Sequence, residues 1–136
     1  MIQISKNFTL DELVASVVAG NFKIDNTPTQ EAIVNLVLLV VNTLQPLRNL
    51  WGRAIMVSSG YRCKTLNDKV GGANESQHMT GEAADISTSN YEDNKKLFDM
   101  VIKSSIPYDQ LIDEKNYQWI HISFSKNNNK RQVLHL

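Results

Sequence analysis

The chain has 136 residues, enough for one domain with a real core and short of two domains of ordinary size. With 42% hydrophobic and 21% charged residues it is globular in composition, which excludes a disordered polymer. Fourteen basic residues balance fourteen acidic ones, leaving no net field to draw the chain to nucleic acid or an anionic membrane, and the single cysteine excludes an internal disulfide and a thiolate metal cluster.

In chain order, residues 9–12 (TLDE) read as a capping box, with Thr9 as N-cap and Glu12 reaching back, opening a short helix to about Val18. Residues 27–30 (TPTQ) repeat the signal, with Pro28 at the first helical position, where its missing N–H costs nothing. The helix that follows carries Ile33, Val34, Val37, Leu38, Val41 and Leu44, a wide apolar face that predicts a central, buried element. Its longest apolar run, residues 33–41, is too short to span a bilayer. Pro46 is expected to kink or restart it, with Thr43 capping a second piece. Residues 54–57 read as a buried strand, 64–70 as a helical turn or two, 72–80 as loop and 82–87 as a second strand. Asn90 opens another helix with Leu97, Phe98, Val101 and Ile102 on one face. The remainder alternates: residues 110–113, 119–124 and 132–136 predict three antiparallel strands, the first two joined by a turn at Glu114-Lys115-Asn116. Helices first and a small antiparallel sheet after make a single α+β domain over residues 1–136.

Two segments carry the chemistry: SQHMTGEAADI at 76–86 and WIHIS at 119–123. In Ala84-Asp85-Ile86 and Ile120-His121-Ile122 the polar side chain projects to one sheet face and its neighbours to the other. His78, on a loop that Gly81 allows to fold back, completes a two-histidine, one-carboxylate set. Such a set holds zinc and leaves a fourth position for water. Each residue also has an ordinary reading, a satisfied strand histidine or a turn acid, and His135 is read that way. Cys63, with no adjacent base, is read as a small buried hydrophobe. A metal-free structural protein would require His78, Asp85 and His121 to lie far apart.

SGYR at 59–62, then SQHMTGEAADI and WIHIS in order and at plausible spacing, resemble the M15 peptidases: zinc D-Ala-D-Ala carboxypeptidases and related phage endolysin peptidases. The similarity covers nearly the whole chain. It implies a hedgehog/DD-peptidase-like fold with zinc in a surface cleft, held by His78, Asp85 and His121. It also implies that Arg62 steadies substrate through its bidentate fork and that Ser76 and Gln77 line the cleft. Several branches carry an acid where this chain has Gln118, which cannot take a proton. In the branch this chain resembles most, the base lies on the preceding strand, which assigns the role to Glu114, with Asp113 and then Asp109 as rivals. Trp119 forms an apolar wall beside the metal or packs in the core.

The implied activity is zinc-dependent hydrolysis of peptide bonds in bacterial peptidoglycan stem peptides, of carboxypeptidase or endopeptidase type. The competing reading is a zinc-stabilised module that binds cell wall or a protein partner without cutting. The first residues do not form a signal peptide, which predicts synthesis in the cytoplasm and access to the wall through lysis or a separate export route, as for a phage or prophage enzyme.

Overall fold

The computed structural model describes residues 2–136. A small hairpin, β1 (Gln3–Ser5) and β2 (Phe8–Thr9), precedes α1 (Leu10–Val14). The Thr9 capping box forms as expected, with the Thr9 hydroxyl accepting from Glu12 N at 3.3 Å and Glu12 accepting from Thr9 N at 3.0 Å. The helix does not reach Val18. It breaks at Ala15, and α2 (Val17–Asn21) starts afresh because Ser16 offers a second N-cap, accepting from Ala19 N at 3.1 Å.

α3 (Gln30–Leu39) passes through a π turn (Val40–Leu44) into α4 (Gln45–Trp51), giving 22 continuous helical residues. The N-cap is Thr29, not Thr27, so Pro28 lies just outside the helix; Thr27 turns back onto Asp25 instead. Nor does Pro46 break the helix. The wide turn before it takes up the missing N–H, and Thr43, expected as a cap, donates to the Pro107 carbonyl at 2.7 Å. By length and composition this helix would suffice to cross a membrane, yet its inner face is the core of the domain. Leu36, Leu39, Leu44 and Leu47 are fully buried, each contributing roughly 1.5–3 kcal/mol of transfer free energy.

The main sheet has the order β3-β4-β6-β5-β7, with β3 (Met56–Ser59), β4 (Ala83–Ser87), β5 (Gln110–Glu114), β6 (Trp119–Ser123) and β7 (Gln132–His135). α5 (Lys64–Lys69) follows β3, and α6 (Tyr91–Lys103) follows β4. The last strand corrects the expectation of three antiparallel strands: β7 runs parallel to β5. Residues 124–131 carry the chain back to the start of β5, where Lys130 N donates to the Asp109 carboxylate and Gln132 N to the Asp109 carbonyl. One sheet face, with Ala84, Ile86, Leu111, Ile120 and Ile122 wholly buried, packs in the same core as α3 and α6. The residues between them in sequence face the other way, into the cleft.

Candidate metal centre and its cleft

β4 and β6 are antiparallel neighbours in which Asp85 stands directly opposite His121. His78 arrives from a 3₁₀ turn (Gln77–Thr80) inside what the sequence reads as loop. Ser76 caps that turn, its hydroxyl accepting from His78 N at 3.2 Å, and Gly81 closes it at φ +78°. A side chain at Gly81 would also strike the Ala32 carbonyl, 2.4 Å from its Cβ, so the turn presses against α3 at a point only glycine allows.

One ligand-capable atom from each of His78, Asp85 and His121 lies within 4.8 Å of the others. The separation required by a metal-free structural protein is therefore not present. His78 Nδ1 sits 2.7 Å from the Gly60 carbonyl, which only accepts, so Nδ1 carries the proton. His78 Nε2 then faces Asp85 Oδ1 at 3.2 Å, and His121 Nδ1 faces the same oxygen at 3.4 Å. Lone pairs this close need a proton or a cation between them. Donor atoms bound tetrahedrally to zinc at about 2.0–2.1 Å stand roughly 3.3 Å apart, so the donor types and spacings fit that ion. Burial pushes the Asp85 carboxyl up, but hydrogen bonds with His121 and His78 and their charge override it and hold it well below the usual carboxylate range.

Arg62 Nη2 lies 3.9 Å from Asp85 Oδ2, and Nη1 donates to Asn67 Oδ1 at 3.3 Å. Burial lowers the guanidinium's proton affinity, while the charges of Asp85 and Glu114 raise it. Two asparagines that the sequence reading passed over hold this segment. Asn26 donates to the Tyr61 and Val14 carbonyls and accepts from Cys63 N, clamping the backbone on both sides of Arg62. Asn67, fully buried, also donates to the Ala73 carbonyl. No local pattern marks either residue, because every partner backbone group lies at least five residues away or in another element.

Glu114 ends β5 opposite Trp119, two residues beyond Ile112, which stands opposite His121. It therefore shares the cleft face with the triad. It belongs to the strand, not to the turn that the sequence suggested. Its rivals do not face the cleft as free acids. Asp113 points to the opposite side, buried, and pairs with His135 of the edge strand β7. Asp109 is a buried strut that accepts from Gln77 Nε2 at 2.9 Å and from Lys130 N at 3.1 Å. Gln118 lies exposed in the turn. Ser76, Gln77 and Trp119 all line the cleft. Among the described residues, the buried side-chain polar atoms without a partner are Arg62 Nε, Gln77 Oε1, Trp119 Nε1 and His121 Nε2. All four belong to residues of this one cleft.

An α+β fold that gathers two imidazoles and one carboxylate at the floor of an open cleft has the donor set of a mononuclear zinc hydrolase. Comparison with known proteins agrees. The chain belongs to the Peptidase M15 family, whose model matches residues 6–123. It is also 44% identical over 50 residues to the zinc D-Ala-D-Ala carboxypeptidase of Streptomyces albus G; the match spans 36% of this chain and 20% of that protein. Zinc is thus the cofactor to which family, relative and donor set all point.

Proposed function

We propose that this chain hydrolyses peptide bonds in the stem peptides of bacterial peptidoglycan, with Glu114 as general base. The observation that carries the proposal is the sheet face shared by Asp85, His121 and Glu114, with His78 brought against it by the 3₁₀ turn and Arg62 beside it. The substrate class follows the relative's D-Ala-D-Ala specificity.

Bound zinc, held by His78, Asp85 and His121, supplies Lewis acidity, polarising a carbonyl and making water a better nucleophile at neutral pH. The residues of the chain do the rest. Glu114 takes a proton from the attacking water and returns it to the leaving amine. Arg62, steadied by Asn67, presents donors to the carbonyl oxygen as negative charge builds there. Gln77, anchored through Nε2 on Asp109, lines the cleft beside the triad, with its Oε1 buried and without a partner. The Trp119 ring walls the cleft beside Glu114.

The competing reading, a binding module that does not cut, drew its support from Gln118 in place of an acid. Glu114 on the cleft face supplies a base without that position. Mass spectrometry of wall fragments, after incubating purified peptidoglycan with the zinc-loaded chain and with Glu114→Gln, tests the proposal. New peptide fragments from the wild type alone support hydrolysis. Binding of wall by both proteins, with no fragment from either, would establish the non-cutting module instead.

A further inference from the structure

Two histidines face the metal position, and only one has its other ring nitrogen accounted for. His78 commits Nδ1 to the Gly60 carbonyl. His121 turns Nδ1 toward Asp85, so with Nδ1 as ligand its Nε2 carries the ring proton. That Nε2 is buried and without a partner. An unmatched buried donor is costly, and a ligand histidine ordinarily gives its other N–H to a carbonyl or carboxylate oxygen.

Among the described residues, the other unmatched buried side-chain atoms are two donors, Arg62 Nε and Trp119 Nε1, and one acceptor, Gln77 Oε1. The anchor of Gln77 fixes which of its atoms is which. The Asp109 carboxylate accepts from Lys130 N at 3.1 Å and from Gln77 at 2.9 Å. A carboxylate only accepts, so Gln77 gives it Nε2 and turns Oε1 away.

Placement selects the donor for that oxygen. Trp119, His121 and Ser123 follow one another on the cleft face of β6. Asp109 N donates to the Ser123 carbonyl at 2.9 Å. Glu82 N donates to the Gln77 carbonyl at 3.0 Å, and the next residue, Ala83, stands opposite Ser123. Gln77 therefore comes down over the Ser123 end of the row, with His121 next along it and Trp119 farthest away. Arg62 reaches Asp85 from the β3 side, with β4 between it and β6.

We infer that Gln77 is a positioning residue for the metal ligand His121: with zinc on Nδ1, His121 donates its Nε2–H to Gln77 Oε1, and Asp109 keeps that oxygen turned to the ring. The inference rests on the zinc site above and not on the peptidase reading. Each ligand histidine then has its second nitrogen held by an amide oxygen, Gly60 for His78 and Gln77 for His121. Because Gln77 and His78 are adjacent, one 3₁₀ turn supplies the first imidazole and orients the second.

The test uses the full chain, labelled with nitrogen-15 and loaded with zinc. Long-range proton–nitrogen spectra read which nitrogen of His121 holds the metal and which the proton, and hydrogen exchange reads how well that proton is protected. The wild type should show a protonated, slowly exchanging Nε2. Gln77→Leu keeps most of the bulk and removes the acceptor. It should speed that exchange at least tenfold and weaken zinc binding, measured against a competing chelator, by about ten- to a hundredfold. Asp109→Asn still accepts from Lys130 N, but it keeps a bond to Gln77 only by turning that amide over, which aims a donor at the ring, so the same losses follow. Combining Asp109→Asn with Gln77→Glu should restore both readouts. The new amide at 109 donates to the new carboxylate at 77, whose other oxygen accepts from His121.

Exchange and zinc affinity within threefold of wild type in Gln77→Leu and Asp109→Asn, whatever their stability, would overturn the inference. So would no recovery in a folded double variant, or zinc on His121 Nε2, and each of these leaves the zinc site standing. Failure of the wild type to take up zinc would overturn the site and the inference together.

Discussion

His78 donates its Nδ1 proton to the Gly60 carbonyl at 2.7 Å, and this bond decides which nitrogen His78 turns toward Asp85. The acceptor belongs to the segment that also carries Arg62, so the ligand loop and the arginine are tied to one piece of backbone. Arg62 N completes the tie by donating to the His78 carbonyl at 3.0 Å. A metal ligand fixed through its other ring nitrogen is ordered before the ion arrives. Zinc should therefore bind a folded, pre-arranged site. With free zinc about a hundredfold above its dissociation constant, linkage gives about 2.7 kcal/mol of added stability, which for a chain of this size corresponds to roughly 10 °C in melting temperature. Differential scanning fluorimetry with zinc and with a chelator measures this. Asp85→Asn and His78→Ala should both lose the zinc-dependent rise, and circular dichroism shows whether they remain folded without metal.

Glu114 and Asp113 are adjacent in sequence and face opposite sides of β5, so their substitutions should separate cleanly. Glu114→Gln is expected to lower turnover by about 10²–10⁴, the usual worth of a general base, with zinc content by metal analysis unchanged. Asp113→Asn removes the charged partner of His135 in a buried position and should cost on the order of 1–3 kcal/mol in urea unfolding, leaving turnover per folded molecule near wild type. The reverse pattern would transfer the base assignment to Asp113.

Gly72 makes room for the Arg62 support. A Cβ there would stand 2.1 Å from Asn67 Oδ1 and 2.9 Å from Arg62 Nη1, so Gly72→Ala must push both side chains aside. The expected loss in kcat/KM is about tenfold, equivalent to about 1.4 kcal/mol, with zinc affinity unchanged. Wild-type kinetics in Gly72→Ala would mean that the Asn67–Arg62 contact has no bearing on substrate.

What could be read from the sequence was local. The Thr9 capping box spans four residues, and Asp85 and His121 each declare themselves against apolar neighbours two faces apart, so short-range patterns suffice. The family pattern located Arg62, Gln77 and Trp119 in one cleft for the same reason: each lies in a compact, recognisable segment. What escaped depends on partners distant along the chain. The parallel pairing of β7 with β5 is fixed by backbone bonds to Tyr108 and Asp109, more than twenty residues earlier. Asp109 resembles a candidate acid in its sequence context, while its role as a strut between Gln77 and the 124–131 segment exists only in three dimensions. The asparagines at 26, 67 and 94 are alike in this. Each satisfies the backbone of another element, and nothing beside it in sequence requires that residue type.

Asn94 extends the same logic to the turn that carries Glu114 toward Trp119. Lys115, Asn116 and Tyr117 all adopt positive φ, between 48° and 66°, without a glycine among them. Three successive left-handed residues cost roughly 1–2 kcal/mol each, so the conformation persists only because its surroundings impose it. Asn94, buried in α6, donates to the Tyr117 carbonyl at 2.8 Å and the Gln118 carbonyl at 3.3 Å, and the Tyr117 ring packs edge-on against Phe98. Its Oδ1 accepts from Thr88 N and Oγ1, both at 2.7 Å, so one side chain joins the end of β4 to the β5–β6 turn. Asn94→Ala should leave these groups unpaired and cost about 2–4 kcal/mol in urea unfolding. Because the freed turn relaxes away from its left-handed geometry, turnover per folded molecule should fall about tenfold while zinc content stays the same. Asn116→Gly, which relieves strain without touching the Asn94 contacts, should move stability the other way by up to about 1 kcal/mol. If Asn94→Ala loses stability but keeps full turnover in its folded fraction, the turn does not position Glu114 and the carboxylate is held by β5 alone.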